Sequence, residues 1–400
     1  MEILLFMAFF SGITWRLFLI NVMTAISYAF ILPVMSLFLI NGLHASPIFI
    51  TFYSLGFALS GLFCSQLMGS LADKGYSVRQ LFMISVMALF LAGLAFSICR
   101  QPIVALAIGI FLMGPGNASI PLLLSMIRKH SLTAGLNATR LNTQMRSGVS
   151  IVWIAGPAVA FVFADKFGFT FNFLTSALLA AMTLLASLLL LPGKNKNTVD
   201  TVRTKTTQAC KGSIPGMVWA LGAVIMLANL SNNMYLTTMP LYLVHELHLP
   251  ASFPGFLIGA TAIMEIPVML AAAHLTEKTG KEPLIMVGFF FAAIYYSLLQ
   301  LATNMTELIL LQLFNGLFFG IFVGLGISVI QDALPERSGF ASAFHSNAMR
   351  AGMMAGNGIA GLMAQLAGFK MTLFAPLLSV CCAALLMFSI NRNHSTKSVQ

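Results

Sequence analysis

Runs of about 20 apolar residues recur along the whole chain between short polar breaks, and each is long enough as a helix to cross the ~30 Å hydrocarbon core of a bilayer. Twelve are read, over residues 17–40, 48–71, 80–99, 102–126, 143–164, 170–191, 216–243, 253–275, 284–302, 307–331, 341–367 and 370–390. The opening stretch Met1 to Phe10 lengthens the first run, and Arg16 beside Trp15 is the expected interfacial anchor that ends it. A cleaved secretory signal fits poorly, because Glu2 stands where basic residues belong and no small-residue cleavage site precedes a soluble domain. The expected fold is an all-α membrane protein of twelve transmembrane helices.

Composition agrees: 58% hydrophobic and 8% charged residues, with a mean hydropathy of +0.92, exclude a set of soluble domains. The formal net charge of +10 could mean an acidic partner, but its placement says otherwise. With loops assigned alternately and both termini inside, fifteen lysines and arginines fall on one side and only Arg100, Lys166 and Lys370 on the other. Basic loops stay cytoplasmic, so this charge sets orientation in the membrane and does not point to nucleic acid. Cys64, Cys99, Cys210, Cys381 and Cys382 lack metal-type spacing and are read as packing residues. His245-Glu246-Leu247-His248 sits at a span end, and no nucleophile with a base, metal cluster or cofactor motif is found, so an enzyme is not expected.

A shift of 204 residues lays Asp73-Lys74 on Glu277-Lys278, Met145-Arg146-Ser147-Gly148 on Met349-Arg350-Ala351-Gly352, and Gly135 on Gly339. The run from Tyr28 to Pro33 also matches that from Tyr235 to Pro240 at a shift of 207. The expected organisation is a six-helix bundle over 1–191, a cytoplasmic linker over 192–215, and a second bundle over 216–400 with a short cytoplasmic tail. Two parallel six-helix repeats resemble the plan of major facilitator transporters, which implies a substrate site near the midplane between the halves.

The loop after the second span, Gly69 to Arg79 with Asp73, Lys74 and Gly75, resembles the signature loop of that superfamily. Its usual later glycine has moved to Gly75, with Tyr76 in its place. A duplicate runs from Ala273 through Glu277, Lys278 and Gly280 to Lys281. A solvated loop with helix caps would look the same once, whereas repetition in both halves favours a gate. Asp73, Lys74, Arg79, Glu277, Lys278 and Lys281 are the expected gating residues of the two loops.

Several polar groups stand inside the spans. Arg146 and Trp153, seven residues apart, share one helical face and offer hydrogen-bond donors and an aromatic face to a sugar ring, although tryptophan packs any core equally well. Asn229, Asn232, Asn233 and Tyr235 crowd the seventh span; Asn229 and Asn233 share a face and can both donate and accept. Interhelical bonding is the alternative, and it applies also to Gln144, Asn315 and Asn347. Glu265 is the one carboxylate deep inside a span, with Pro267 freeing the carbonyl of Ile263 beside it. A mid-span acid is costly by at least ~2.5 kcal/mol and is functional by default, here as a proton carrier, a substrate contact or both.

Gly156-Pro157, Asn233 to Tyr235, Met239-Pro240-Leu241, Glu265-Ile266-Pro267, Leu311 to Asn315 and Gln331 to Pro335 resemble the bacterial sugar efflux transporters over nearly the whole chain. The resemblance implies export of lactose, glucose or small glycosides in exchange for protons. It carries Glu265, Asn233 and Asn315 over as pocket residues and Asp73, Arg79 and Asp332 as gate residues. The expected partners are a small sugar, protons and the lipid bilayer, with no cofactor and a monomeric chain. The competing expectation is a multidrug or other small-molecule proton antiporter of the same fold, suggested by 34 phenylalanines and 25 methionines.

Overall fold

The computed structural model describes residues 12–135, 138–191, 215–334 and 338–397, so the expected linker lies outside the described residues apart from Pro215. Every regular element among them is helical. Helix α1 is Ile13–Ala29; after a turn that contains Pro33 it resumes as Met35–Leu37 and a π turn, Phe38–Gly42. Helices α2 (Ile48–Asp73) and α3 (Val78–Ile98) follow. Helix α4 is assembled from Pro102–Ile108, a π turn at Gly109–Met113, Gly114–Asn117 and Ser119–Thr133. Pro115 has no N–H to give, and Ser60 Oγ of α2 donates to the Ile110 carbonyl in the broken turn.

The run Ala138–Leu190 breaks at Gly168 (φ 82°), giving α5 (138–167) and α6 (169–190). The second half contains α7 (Gly216–His245), α8 (Phe253–Thr279), α9 (Lys281–Leu299), α10 (Met305–Ala333), α11 (Ser338–Thr372, broken at Gly368) and α12 (Ala375–Lys397). Among the described residues eight helical segments are long and apolar enough to cross a membrane, and the bent pair Phe344–Thr372 with Ala375–Asn391, counted as one span, makes a ninth. Helix α1 is shorter and the segment Ile151–Leu190 contains the Gly168 break, so the twelve helices are consistent with twelve crossings.

Two cores hold the helices. One gathers Tyr28, Phe38, Phe82, Phe96, Phe161 and Phe173 from the first half. The other gathers Tyr235, Phe289, Tyr295, Tyr296 and Phe318 from the second. The halves repeat one another atom for atom at the turns after α1 and α7. Leu43 N donates to Phe38 O and Leu247 N to Tyr242 O; Ala45 N donates to Leu39 O and Leu249 N to Leu243 O. His44 and His248 both take φ 52°, and every one of these pairs is separated by the same 204 residues.

Candidate functional site

The halves touch at one end of the bundle. There α8 meets α5 backbone to backbone: a Cβ on Gly255 would lie 2.9 Å from Ala158 Cα and 2.9 Å from Phe161 Cβ. Helix α11 meets α2, with Thr51 Oγ donating to Gly358 O at 2.6 Å and Ile48 N donating to Gln365 Oε1 at 3.4 Å. His245 Nε2 at the end of α7 donates to Asn41 Oδ1 at the end of α1, 2.6 Å away. These two residues are repeat mates, 204 positions apart, so the bond joins equivalent points of the two halves.

Toward the other end the halves separate. Ile266, seven residues beyond Gly259, continues the face of α8 that meets α5, yet it is 41% exposed. The same transition runs along α5. Trp153 is 40% exposed, whereas Pro157 and Ala160, on its face and nearer the closed end, are buried. A path therefore leads from the open end to about the middle of the bundle, with Trp153 on its α5 wall.

Glu265 lies on α8 beyond Gly259, toward the open end. It shares a face with Ile258, seven residues earlier, which packs against both cores and so points inward. The carboxylate is half-buried and hydrogen-bonds no described residue. Its helix is seated tightly on α10, where a Cβ on Gly320 would lie 2.8 Å from Glu265 O.

The neutral polar residues are used differently. Asn229 Nδ2 donates to Met349 O of α11 at 2.5 Å, and Asn233 Nδ2 donates to Asn229 O at 2.8 Å. Asn229 and Asn232 are buried, and Tyr235 is sealed in the second core with its ring 5.4 Å from that of Tyr295. Asn315 is also buried and donates to Thr261 Oγ (3.3 Å) and Gln312 Oε1 (3.2 Å). Thr261 Oγ itself donates to Gln312 Oε1 at 2.7 Å, closing a polar cluster that ties α8 to α10. Asn347 is exposed near the open end. The side chains of Gln144, Arg146 and Glu277 lie outside the described residues.

Sequence inspection passed over Thr261 and Gln312, and also Asn357 on α11, whose Oδ1 accepts from Thr237 Oγ at 2.9 Å. The 204-residue shift would have found Asn357, because it is the mate of Trp153.

At the open end the gate candidates bond within their own halves. Gly75 (φ 92°) ends α2, with Lys74 N donating to Ser70 O and Tyr76 N to Leu71 O; Asp73 and Lys74 are exposed. Arg79 Nη2 donates to Ser187 O at 3.3 Å and Leu188 O at 2.9 Å, covering carbonyls that the C-terminus of α6 leaves unpaired. Lys281 of α9 and Asp332 of α10 form an ion pair, and Lys278 is exposed.

Two pseudo-repeated helical bundles around a path closed at one end define a membrane transport protein. The sequence profile of the Major Facilitator Superfamily matches residues 17–220 and again 221–400. The chain is 31% identical over 368 residues to "Sugar efflux transporter A" of Dickeya chrysanthemi, covering 92% of this chain and 93% of that one. It is 28% identical to "Sugar efflux transporter C" of Escherichia coli, covering 87% and 88%. Among solved structures, the nucleoside transporter NupG has a TM-score of 0.75 at 14% identity, covering 96% of this chain and 99% of that one. A bacterial homologue of the lysosomal transporter Spinster has a TM-score of 0.72 at 13% identity, covering 94% and 96%. The chain belongs to the sugar efflux transporter family of the major facilitator superfamily.

Proposed function

We propose that this protein exports small sugars or glycosides of the lactose and glucose kind across the bacterial cytoplasmic membrane, by alternating access and in exchange for protons. Sugar as cargo rests on the names of its relatives. The division into bundles 1–191 and 216–400 around a cytoplasmic linker fits the rocking of one parallel repeat against the other. The open end carries Lys74, Arg79, Lys278 and Lys281; by the bias of basic residues it faces the cytoplasm, so the state is inward-facing with both termini inside. The chain acts as a monomer.

Glu265 carries the proton reading. It is an inward-facing carboxylate at mid-span without a hydrogen bond to any described residue. Such a group can take a proton from one side and release it to the other as access alternates. Trp153 and Arg146 form the proposed sugar wall, and Asp73 to Arg79 with Glu277 to Lys281 and Asp332 form the cytoplasmic gate.

The test is transport in proteoliposomes with an imposed pH gradient. Glu265→Gln should abolish uphill lactose efflux while retaining lactose counterflow. Uphill efflux at the wild-type rate by that variant would remove the coupling role. Ethidium efflux without movement of lactose or glucose would replace the sugar reading by the multidrug one.

A further inference from the structure

Arg350 lies inside the apolar part of α11, toward its open end, and the arcs of that helix can be assigned one by one. Ile359, Leu362 and Leu366 make an exposed apolar strip that faces lipid. Gly352 and Gly356 press against α7, where their Cβ atoms would meet Met226 O and Leu230 O. Gly358 and Gly361 press against α2. The remaining arc holds Arg350, Asn357 and Ala364, at spacings of seven residues that keep them on one face. Ala364 is buried where the halves meet, Asn357 is half-buried, and Arg350 is exposed where α2 and α11 have parted. This is the sequence of exposures seen on α5 from Ala160 to Trp153, repeated on the opposite wall.

A guanidinium at this depth is a cost unless it faces water or a partner. Among the described residues the one ion pair is Lys281 with Asp332, and no hydrogen bond or ion pair engages Arg350. Its five N–H donors form a planar fork that matches two adjacent oxygens, which a lysine ammonium cannot do. Seven residues on, Asn357 has its Oδ1 occupied by Thr237, and its amide nitrogen bonds no described residue. The α11 wall thus presents unused donors to the path.

Building on the sugar reading, we infer that Arg350 is a substrate-binding residue whose guanidinium donates to two neighbouring hydroxyls of the sugar, with Asn357 donating alongside. Arg146 is its repeat mate, 204 residues earlier in the sequence. Export selectivity is then set by both halves and does not reside in the seventh helix.

The test uses lactose counterflow in proteoliposomes, with monodeoxy derivatives of lactose as competitors. Arg350→Gln should raise the lactose KM about tenfold or more while leaving the maximal rate within about threefold, and Arg350→Lys should not restore it. The wild type should discriminate by about tenfold or more against the two derivatives lacking the hydroxyls that Arg350 reads, and Arg350→Gln should lose that discrimination. Arg350→Cys in a chain freed of native cysteines supplies a second readout, since lactose should slow its labelling by N-ethylmaleimide. An unchanged KM, full recovery in Arg350→Lys, or labelling indifferent to lactose overturns the assignment. An effect confined to D-galacturonate overturns it in favour of an anionic cargo. A wild-type protein that moves neither lactose nor glucose refutes the sugar reading itself, before any variant is compared.

Discussion

Alanine at Gly361 should force the closed end apart. A Cβ at this position of α11 would lie 2.6 Å from the Thr51 backbone nitrogen and 2.9 Å from the Pro47 carbonyl oxygen, both at the start of α2 in the other half. Backbone atoms cannot rotate aside as a side chain can, so relief requires α2 and α11 to separate. Overpacking of this kind costs about 1–3 kcal/mol. Because the two helices are apart in the opposite state, the cost falls on one conformation only and shifts the population about 5- to 150-fold away from it. Gly255→Ala should act with the same sign through Ala158 and Phe161 on the α5 side. The assay is labelling of Ala364→Cys, a site now 6% exposed, by a membrane-impermeant maleimide in a chain whose five native cysteines are removed. Labelling from the closed side should accelerate at least about fivefold in Gly361→Ala. Gly69→Ala is the control, since nothing lies within 4 Å of its Cβ position in this state, and it should not accelerate labelling. Unchanged labelling in a folded Gly361→Ala protein would refute the idea that the two halves close on this glycine.

Asn229→Ala removes the bond to Met349 O; it should lower stability by about 0.6–1.7 kcal/mol, read as an earlier thermal transition in detergent, with the lactose KM changed by less than about twofold. A large KM rise without loss of stability would return Asn229 to the sugar wall. Trp153→Phe should retain transport while Trp153→Ala loses affinity for lactose, because the ring face and not the indole nitrogen is what the path uses. Equal KM values in the three proteins would take Trp153 off the path.

The helices were legible because lipid demands a run of apolar residues wherever the chain crosses it, and the duplication was legible because 204-residue mates kept their chemistry. The place of Glu265 inside an apolar run was likewise visible in the sequence. What the sequence could not tell was which polar groups a neighbouring helix consumes. Asn229 and Asn233 satisfy the spacing for a sugar face, yet Asn229 is spent on an α11 carbonyl and Asn233 on its own helix. An amide looks the same in sequence whether its partner is a ligand or a backbone atom 120 residues away. Arg350 shows the opposite error. It was visible as the mate of Arg146, but only the arcs of α11 distinguish a path-facing guanidinium from one buried against a neighbour.

The asymmetry around Glu265 has a packing origin. Its mate 204 residues earlier is Gly61 of α2, where a Cβ would lie 2.8 Å from Asn117 Nδ2. Asn117 occupies that volume because α4 is broken by a π turn and Pro115, which carry its backbone toward α2. The first half therefore fills with a neutral amide the place where the second half keeps an acid. Gly316, Gly320 and Gly324 set α10 close against the part of α8 that bears the acid, while Gly255 and Gly259 bring α8 close to α5 at the closed end. In a rigid-body rocking of the halves, α8 stays with α10 and moves against α5. Glu265 thus travels with the second half while Trp153 travels with the first, and alternation changes the separation between the acid and the aromatic wall. On the proposed exchange for protons, a single carboxylate at that seam needs no symmetric twin.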